Sequence, residues 1–234
     1  HADGRHHADM AVTAVNTPAE RQVLKRDQFG SVCCLRSPST PGISLCVERD
    51  TTAAAWWIRW LARRLAAREA RALSVLERLP GLPRIEAWDG QRLRRSWIAG
   101  EPMHRSPPAS PVYFREALRL VRRMHAAGIL HNDLAKEPNW LVTPDGTAAL
   151  VDFQLAARPR MRGRMFRALA YDDLRHLLKH KRTYFPARLT ARERAILQRR
   201  SPVSALWART GKPLYRLVTR GLLGWADREG AGDR

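Results

Sequence analysis

Three side chains in the middle of the chain, Asp133, Asn139 and Asp152, could together hold a hard cation and move a proton. Between Asn139 and Asp152, two apolar stretches flank residues 144–146, Pro-Asp-Gly, which is typical of a hairpin turn. Because a tight hairpin brings its two ends together, we expect the three side chains to share one small volume. Carboxylate and amide oxygens suit Mg²⁺, which recruits phosphate oxygens. A second carboxylate can orient a hydroxyl and take its proton, so the set predicts phosphoryl transfer.

The segment HNDLAKEPN, residues 131–139, resembles the catalytic loop of the protein-kinase superfamily, and VDFQ, residues 151–154, resembles its metal-binding Asp-Phe-Gly segment. The 19 positions from Asp133 to Asp152 are close to the usual gap between these motifs. The resemblance implies ATP and Mg²⁺ as cofactors. It implies that Asp133 is the catalytic aspartate and that Lys136 contacts the transferring phosphate. It also implies that Asn139 and Asp152 are the metal ligands.

The first half of the chain is similar to the same template at several points that would bind the nucleotide. FGSV, which contains Gly30 and Val32, resembles the end of the glycine-rich loop over the phosphates. Glu69 is placed like the helix glutamate that pairs with a strand lysine. SWIAG, which contains Ser96 and Ile98, resembles the hinge whose backbone holds the adenine.

The chain departs from the template at three positions. The strand that should carry the phosphate-binding lysine reads LCVERD, where strict alternation predicts Glu48 at the site and Arg49 is the nearest cation. Arginine binds phosphate with a different reach and geometry from lysine. Gln154 stands where the template has glycine, and the loop before Asn139 is one residue longer.

The order of elements predicts an α+β chain. Strands occupy 22–47, a helix 51–79, a hairpin turning at Asp89 and Gly90 follows, and helices dominate after Tyr113. Among these helices, Thr190 with Glu193 predicts a capping box, and Ser201 with Pro202 predicts a helix start. The resemblance implies a protein-kinase-like two-lobed fold, with a β-rich N-lobe that has one helix and a reduced helical C-lobe. We expect a leader in 1–21, an N-lobe in 22–100, a C-lobe in 101–189 and a basic helical extension in 190–234.

Charge indicates an acidic partner. The 42 Lys and Arg against 22 Asp and Glu give a formal net charge of +20, which attracts polyanions, although an arginine-rich surface can also be merely solvated. Five arginines crowd the stretch after Asp152, at 158, 160, 162, 164 and 167. With little chain left to support a peptide, and with YDDL at 171–174, the sequence resembles RIO kinases and bacterial lipopolysaccharide core kinases. That resemblance implies a phosphorylated glycolipid or a protein Ser/Thr as acceptor.

Two stretches of the sequence are candidates for contact with a membrane surface. Trp56, Trp57 and Trp60 alternate with arginines on the first helix, which fits either packing against the domain, the commoner outcome, or an interfacial position. Residues 212–228 mix apolar and basic side chains in the same way. The three cysteines have no metal-binding spacing, and we expect reduced thiols in a cytoplasmic protein, with peripheral contact at the inner face of a bacterial inner membrane.

Two further functions remain open at this point. The missing lysine is compatible with a nucleotide-binding pseudokinase that regulates and does not catalyse. The net charge is compatible with a basic nucleic-acid-binding protein, whose binding would be strongly salt-dependent.

Overall fold

The computed structural model describes residues 20–39 and 42–199. Most of the predicted leader, the helix start predicted at Ser201 and Pro202, and the basic stretch at 212–228 lie outside these residues.

The first half of the chain forms a five-stranded antiparallel sheet and one helix. The strands are β1 (Glu20–Asp27), β2 (Gly30–Ser39), β3 (Gly42–Asp50), β4 (Ile85–Trp88) and β5 (Arg92–Ser96), in the order β1-β2-β3-β5-β4. The β4–β5 hairpin turns at Asp89 and Gly90, as the sequence predicts, and Asp89 Oδ1 accepts hydrogen bonds from Gln91 N and Arg92 N.

The helix α1 (Arg59–Leu76) begins later than the predicted position 51. Thr51 and Thr52 explain the difference, because their side chains form hydrogen bonds in a backbone conformation that is not helical. Thr51 Oγ1 donates to the carbonyl oxygen of Gln91 at 2.7 Å, and Thr52 donates from N and Oγ1 to Asp50 Oδ1. Residues of this type compete with helical hydrogen bonding when they can reach a nearby partner.

The second half is mainly helical around a small sheet. Strands β6 (Glu101–Pro102), β7 (Trp140–Val142) and β8 (Ala148–Leu150) pair antiparallel in that order. Helices α2 (Val112–Ala126), α3 (Arg164–Tyr184) and α4 (Ala191–Gln198) surround them, with 3₁₀ turns at Glu137–Asn139 and Pro186–Arg188. The predicted α+β class is therefore confirmed. The predicted capping box is also present, since Thr190 and Glu193 exchange hydrogen bonds at the start of α4.

One hydrophobic core joins α1 to the helical half. Helix α1 contributes Leu73 and Leu76 to it, and α2 contributes Phe114, Val121 and Met124. The fully buried Trp140, Leu150 and Phe153, from the β7–β8 hairpin and the residues after it, complete the centre of this core. Burial of this apolar surface fixes the hairpin ends against α1 and α2. Within the described residues, no helix has the length and apolar composition needed to cross a membrane.

Candidate active site

The β7–β8 hairpin places Asn139 beside the strand end that leads into Asp152. Trp140 pairs with Leu150, and Val151 N donates to the carbonyl oxygen of Asn139 at 3.0 Å. His131 Nε2 donates to the carbonyl oxygen of Val151 at 3.2 Å. The loop before Asp133 is thereby tied to the same strand end, as the turn sequence predicts.

Asp133 is the centre of a small polar group. Its Oδ2 accepts a hydrogen bond from Asn139 Nδ2 at 3.0 Å and lies 3.2 Å from Lys136 Nζ. The side chain is only 13% exposed. Burial raises the pKa of Asp133 above its ordinary value, although the charge of Lys136 and the hydrogen bond from Asn139 act in the opposite direction. A raised pKa makes this carboxylate a better proton acceptor near neutral pH.

Asp152 adopts a backbone conformation that is rare for its residue type. Its φ is 65°, in the left-handed region, which costs about 1–3 kcal/mol and is concentrated at functional sites. Gln154 Nε2 donates to Asp152 Oδ1 at 2.7 Å. Burial disfavours the charged form, but the charge of Arg49 and the hydrogen bond from Gln154 outweigh it and hold the pKa of Asp152 below its ordinary value. The side chain is therefore an anion and remains 35% exposed.

Strand β3 presents Arg49 to this centre. Arg49 Nη2 lies 3.9 Å from Asp152 Oδ1, and Arg49 Nε lies 3.4 Å from Glu69 Oε2 on α1. The predicted register, which placed Glu48 at the site, is wrong. Glu48 belongs to the opposite face of the sheet, where its carboxylate lies 2.7 Å from Arg94 Nε and 3.8 Å from Arg21 Nη2. A shift of one residue in a strand moves a side chain to the other face.

A second arginine, Arg95 on β5, contacts the same glutamate. Arg95 Nη1 lies 3.4 Å from Glu69 Oε1, and the Glu69 side chain is completely buried. Among the described residues, neither carboxylate oxygen of Glu69 has a hydrogen-bond partner, and neither do Arg49 Nε and Arg95 Nε, so the contacts between the three groups are ion pairs. Sequence reasoning missed Arg95. The available signal was the alternation in β5, which places Arg95 on the buried face with Leu93.

Asp173 on α3 holds the backbone of the loop that carries Asp133. Its carboxylate accepts hydrogen bonds from His131 N at 2.9 Å and from Asn132 N at 3.0 Å. His125 Nε2 donates to the same carboxylate at 3.0 Å. Asn132 also has a left-handed φ of 62°, so Asp173 stabilises a strained loop. The motif YDDL was noticed in the sequence, but this contact was not predicted.

Arg68, next to Glu69 on α1, fixes the segment that follows Asp152. Its guanidinium donates to the carbonyl oxygens of Leu155 at 3.1 Å and Ala156 at 3.1 Å. Asn132 Nδ2 donates to the Leu155 carbonyl oxygen as well, at 3.0 Å. Helix α1 is therefore connected to Asp152 in two ways. Glu69 contacts Arg49, which lies near the Asp152 carboxylate, and Arg68 binds the carbonyl oxygens of the segment that follows Asp152.

The other residues predicted to bind the nucleotide are Gly30, Val32, Ser96 and Ile98, and their surroundings differ. Val32 is the cross-strand partner of Arg49. Gly30 has a φ of 121° and packs so closely on the Asp50 carbonyl oxygen that a β-carbon would not fit, which explains the glycine. Ser96 is bound to Arg84 through its Oγ and backbone N, and Ile98 is half-buried in the connection between the two sheets. No contact joins Ser96 or Ile98 to the Asp133 group among the described residues.

The donor set fits Mg²⁺ better than a softer metal. Asp133 and Asp152 supply carboxylate oxygens, and Asn139 directs its Nδ2 to Asp133, which leaves Oδ1 as its ligand atom. Hard oxygen donors of this kind are those that Mg²⁺ binds together with phosphate and water. Among residues 20–39 and 42–199, no group of three His, Cys, Asp or Glu side chains forms a metal cluster.

A basic surface follows the candidate site in the chain. The arginines at 158, 160 and 162, between the Leu130–Ala157 bridge and helix α3, are all exposed, and so are those at 164 and 167 in the first turn of α3. Arg162 Nη2 donates to the carbonyl oxygen of Ala126 at 2.6 Å, which anchors the segment to the end of α2. The predicted arginine strip is thus at the surface, and it begins six residues beyond Asp152.

No protein-family model matches this chain.

Proposed function

We propose that this protein is an ATP- and Mg²⁺-dependent phosphotransferase with a reduced protein-kinase-like fold. The observation that carries the proposal is the convergence of Asp133, Asn139 and Asp152 at the ends of one hairpin, with the Arg49–Glu69 ion pair reaching the same point. A five-stranded sheet with one helix, followed by a mainly helical half, supports the two-lobed form of this fold.

Asp133 orients the acceptor hydroxyl and takes its proton. Its partial burial and raised pKa suit this role, and Asn139 fixes the direction of its carboxylate. Lys136, whose ammonium group lies beside Asp133 and is half exposed, is positioned to contact the transferring phosphate. Such a reaction depends mainly on positioning and on neutralising charge.

Asn139 and Asp152 would hold Mg²⁺, which supplies charge neutralisation for the phosphates when bound. Asp152 is kept ionised by Arg49 and Gln154 and is therefore ready to bind a cation. Arg49 takes the place of the template's lysine, since it contacts Glu69 and lies near Asp152. Val32, Gly30, Ser96 and Ile98 would line the nucleotide side, as the resemblance implies.

The acceptor that best fits the surface is one that already carries phosphates. The exposed arginines at 158–167 would bind a phosphorylated glycan or lipid, such as a lipopolysaccharide core, by charge. A protein Ser/Thr is the other acceptor class, and it would need a docking surface that uses the same arginines.

A second candidate, a nucleotide-binding regulatory module, is favoured by one observation. Arg49 is held between Glu69 and Asp152 and is only 13% exposed, so the cation that should bind phosphate is engaged with protein carboxylates. Such a module would bind Mg²⁺–ATP without turnover.

The test combines binding and transfer on three proteins: wild type, Asp133→Asn, and the control Asp145→Asn at the exposed tip of the same hairpin. Thermal stability is measured with and without Mg²⁺–ATP, and γ-labelled ATP is then supplied with purified lipopolysaccharide or with casein. We expect all three proteins to be stabilised by Mg²⁺–ATP, and only Asp133→Asn to lose label transfer.

Stabilisation without transfer in the wild type would favour the regulatory module. If Mg²⁺–ATP stabilises none of the proteins, the proposed function is wrong, and steeply salt-dependent RNA binding would then favour the nucleic-acid-binding alternative.

A further inference from the structure

Three tryptophans at the start of α1 are exposed to solvent. The exposed fractions of Trp56, Trp57 and Trp60 are 82%, 44% and 66%. Packing against the rest of the domain was the commoner expectation for these rings, and the structure contradicts it. Large aromatic side chains that are exposed close together in the chain are a common feature of interaction sites.

Two exposed arginines lie on the same side of α1 as Trp60. Arg63 and Arg64 follow Trp60 by three and four positions, which places them beside it on one helical face. Within the described part of the chain, neither guanidinium forms an ion pair or a hydrogen bond. We name Trp56, Trp57, Trp60, Arg63 and Arg64 the Trp–Arg patch.

The Trp–Arg patch continues toward the arginine strip. Arg64 and Arg68 are one helical turn apart, and Arg68 binds the Leu155 and Ala156 carbonyl oxygens. Leu155 is itself 40% exposed, and within the strip Met161 and Met165 are 80% and 71% exposed. Arg68 thus connects a segment with exposed rings and arginines to a segment with exposed apolar side chains and arginines.

This composition favours an anionic lipid surface over two other occupants. A second copy of the chain would bring arginine against arginine, and like charges across an interface are costly. A single-stranded nucleic acid would use the rings and the arginines, but it gains little from exposed methionine and leucine side chains. A lipid interface accommodates all three kinds of side chain, because rings and apolar chains enter the headgroup region while arginines bind phosphate.

We propose that the Trp–Arg patch is a peripheral docking site for bilayers rich in anionic phospholipid. The rings of Trp56, Trp57 and Trp60 lie at the boundary between headgroups and acyl chains, and Arg63 and Arg64 contact lipid phosphates. The proposal does not depend on catalysis, because its readout is membrane binding.

The experiment measures co-sedimentation of the full chain with vesicles of equal parts phosphatidylglycerol and phosphatidylcholine, and with vesicles of phosphatidylcholine alone. Four proteins are compared: wild type, Trp56→Ser/Trp57→Ser/Trp60→Ser, Arg63→Gln/Arg64→Gln, and the control Arg122→Gln/Arg123→Gln. The control removes two adjacent exposed arginines from α2 and so matches the charge change. Circular dichroism checks that each variant is folded.

We expect the wild type and the control to bind the anionic vesicles more strongly than the neutral ones. Loss of Arg63 and Arg64 should weaken the partition by about tenfold to thirtyfold, and the triple tryptophan variant should bind no better than the wild type binds neutral vesicles. Equal partition of the wild type and both patch variants would overturn the proposal. So would a patch that proves necessary for RNA binding or for dimer formation but not for vesicle binding.

Discussion

The guanidinium of Arg49 lies 3.4 Å from the carboxylate of Glu69, and both side chains are almost fully withdrawn from solvent. Arg95 contacts the other oxygen of the same carboxylate. One buried anion is therefore shared by two buried cations that belong to neighbouring strands of the sheet. The stability of the sheet against α1 and the position of Arg49 at the candidate site depend on the same group.

Replacement of Glu69 should be costly for folding. Glu69→Ala removes the carboxylate that both buried arginines contact and leaves the more distant Asp152 as the nearest anion to Arg49, so we expect the free energy of unfolding to fall by about 3–5 kcal/mol. Urea denaturation measures it, and Glu77→Ala, at an exposed position just past the end of α1, is the control. A loss no larger than that of the control would show that the contacts to Arg49 and Arg95 contribute little.

Arg49→Lys should show whether phosphate binding needs the guanidinium group of Arg49 or only its positive charge. Lysine keeps the positive charge but replaces the planar guanidinium fork of arginine with a compact ammonium group, so its reach and its geometry toward Glu69 and a phosphate are different. We expect the Kd for Mg²⁺–ATP, measured by calorimetry, to rise roughly tenfold. Arg26→Lys, on exposed β1, should leave the Kd unchanged. An unchanged Kd in Arg49→Lys would exclude Arg49 from the phosphate site.

The local parts of this structure are predictable because their causes lie within a few residues. Residues 144–146 form the turn that brings Asn139 toward Asp152, and Thr190 and Glu193 form the predicted capping box. Turn and cap signals act through hydrogen bonds between near neighbours, so they survive whatever the rest of the chain does.

The contacts between distant parts were not predictable in the same way. Whether Glu48 or Arg49 faces the site depends on the register of β3 between β2 and β5, and a shift of one residue inverts the answer. The partnership of Arg95 with Glu69 joins residues that are far apart in the chain, and so does that of Asp173 with His131. The exposure of Trp60 likewise depends on what packs on α1, which helical periodicity alone does not specify.

Asp173 should act as a positioning residue for the loop of Asp133. Asp173→Ala leaves the buried backbone N–H of His131 and the partly buried N–H of Asn132 without their acceptor, and we expect a loss of about 3 kcal/mol in the free energy of unfolding. Phosphate transfer should lose kcat while the Kd for Mg²⁺–ATP changes little, because the nucleotide contacts are elsewhere. Asp173→Asn, which keeps one carbonyl oxygen, should be intermediate in both measurements. Wild-type kcat in Asp173→Ala would show that the loop holds its shape without this carboxylate.

Glu193 should make the contact between α3 and α4 less stable at acid pH. Its carboxylate binds Lys181 Nζ through both oxygens at 2.7 Å and accepts a hydrogen bond from Thr190 N at 2.8 Å. Burial opposes ionisation, but Lys181 and the backbone of Thr190 outweigh it and hold the pKa of Glu193 below its ordinary value of 4.5. Because the folded pKa is the lower one, the stabilisation is complete above the unfolded value and is lost as pH falls through the folded value.

Glu193→Gln should therefore be less stable than the wild type at pH 7, by about 1–2 kcal/mol, and the difference should shrink toward zero as the pH falls below 4.5. Urea unfolding at a series of pH values measures this difference. Glu77→Gln is the matched control, since Glu77 is exposed and forms no ion pair with a described residue. The difference in the free energy of unfolding between wild type and Glu193→Gln could instead stay constant from pH 7 down to pH 3. That result would mean that packing, and not the charge on Glu193, joins α4 to α3.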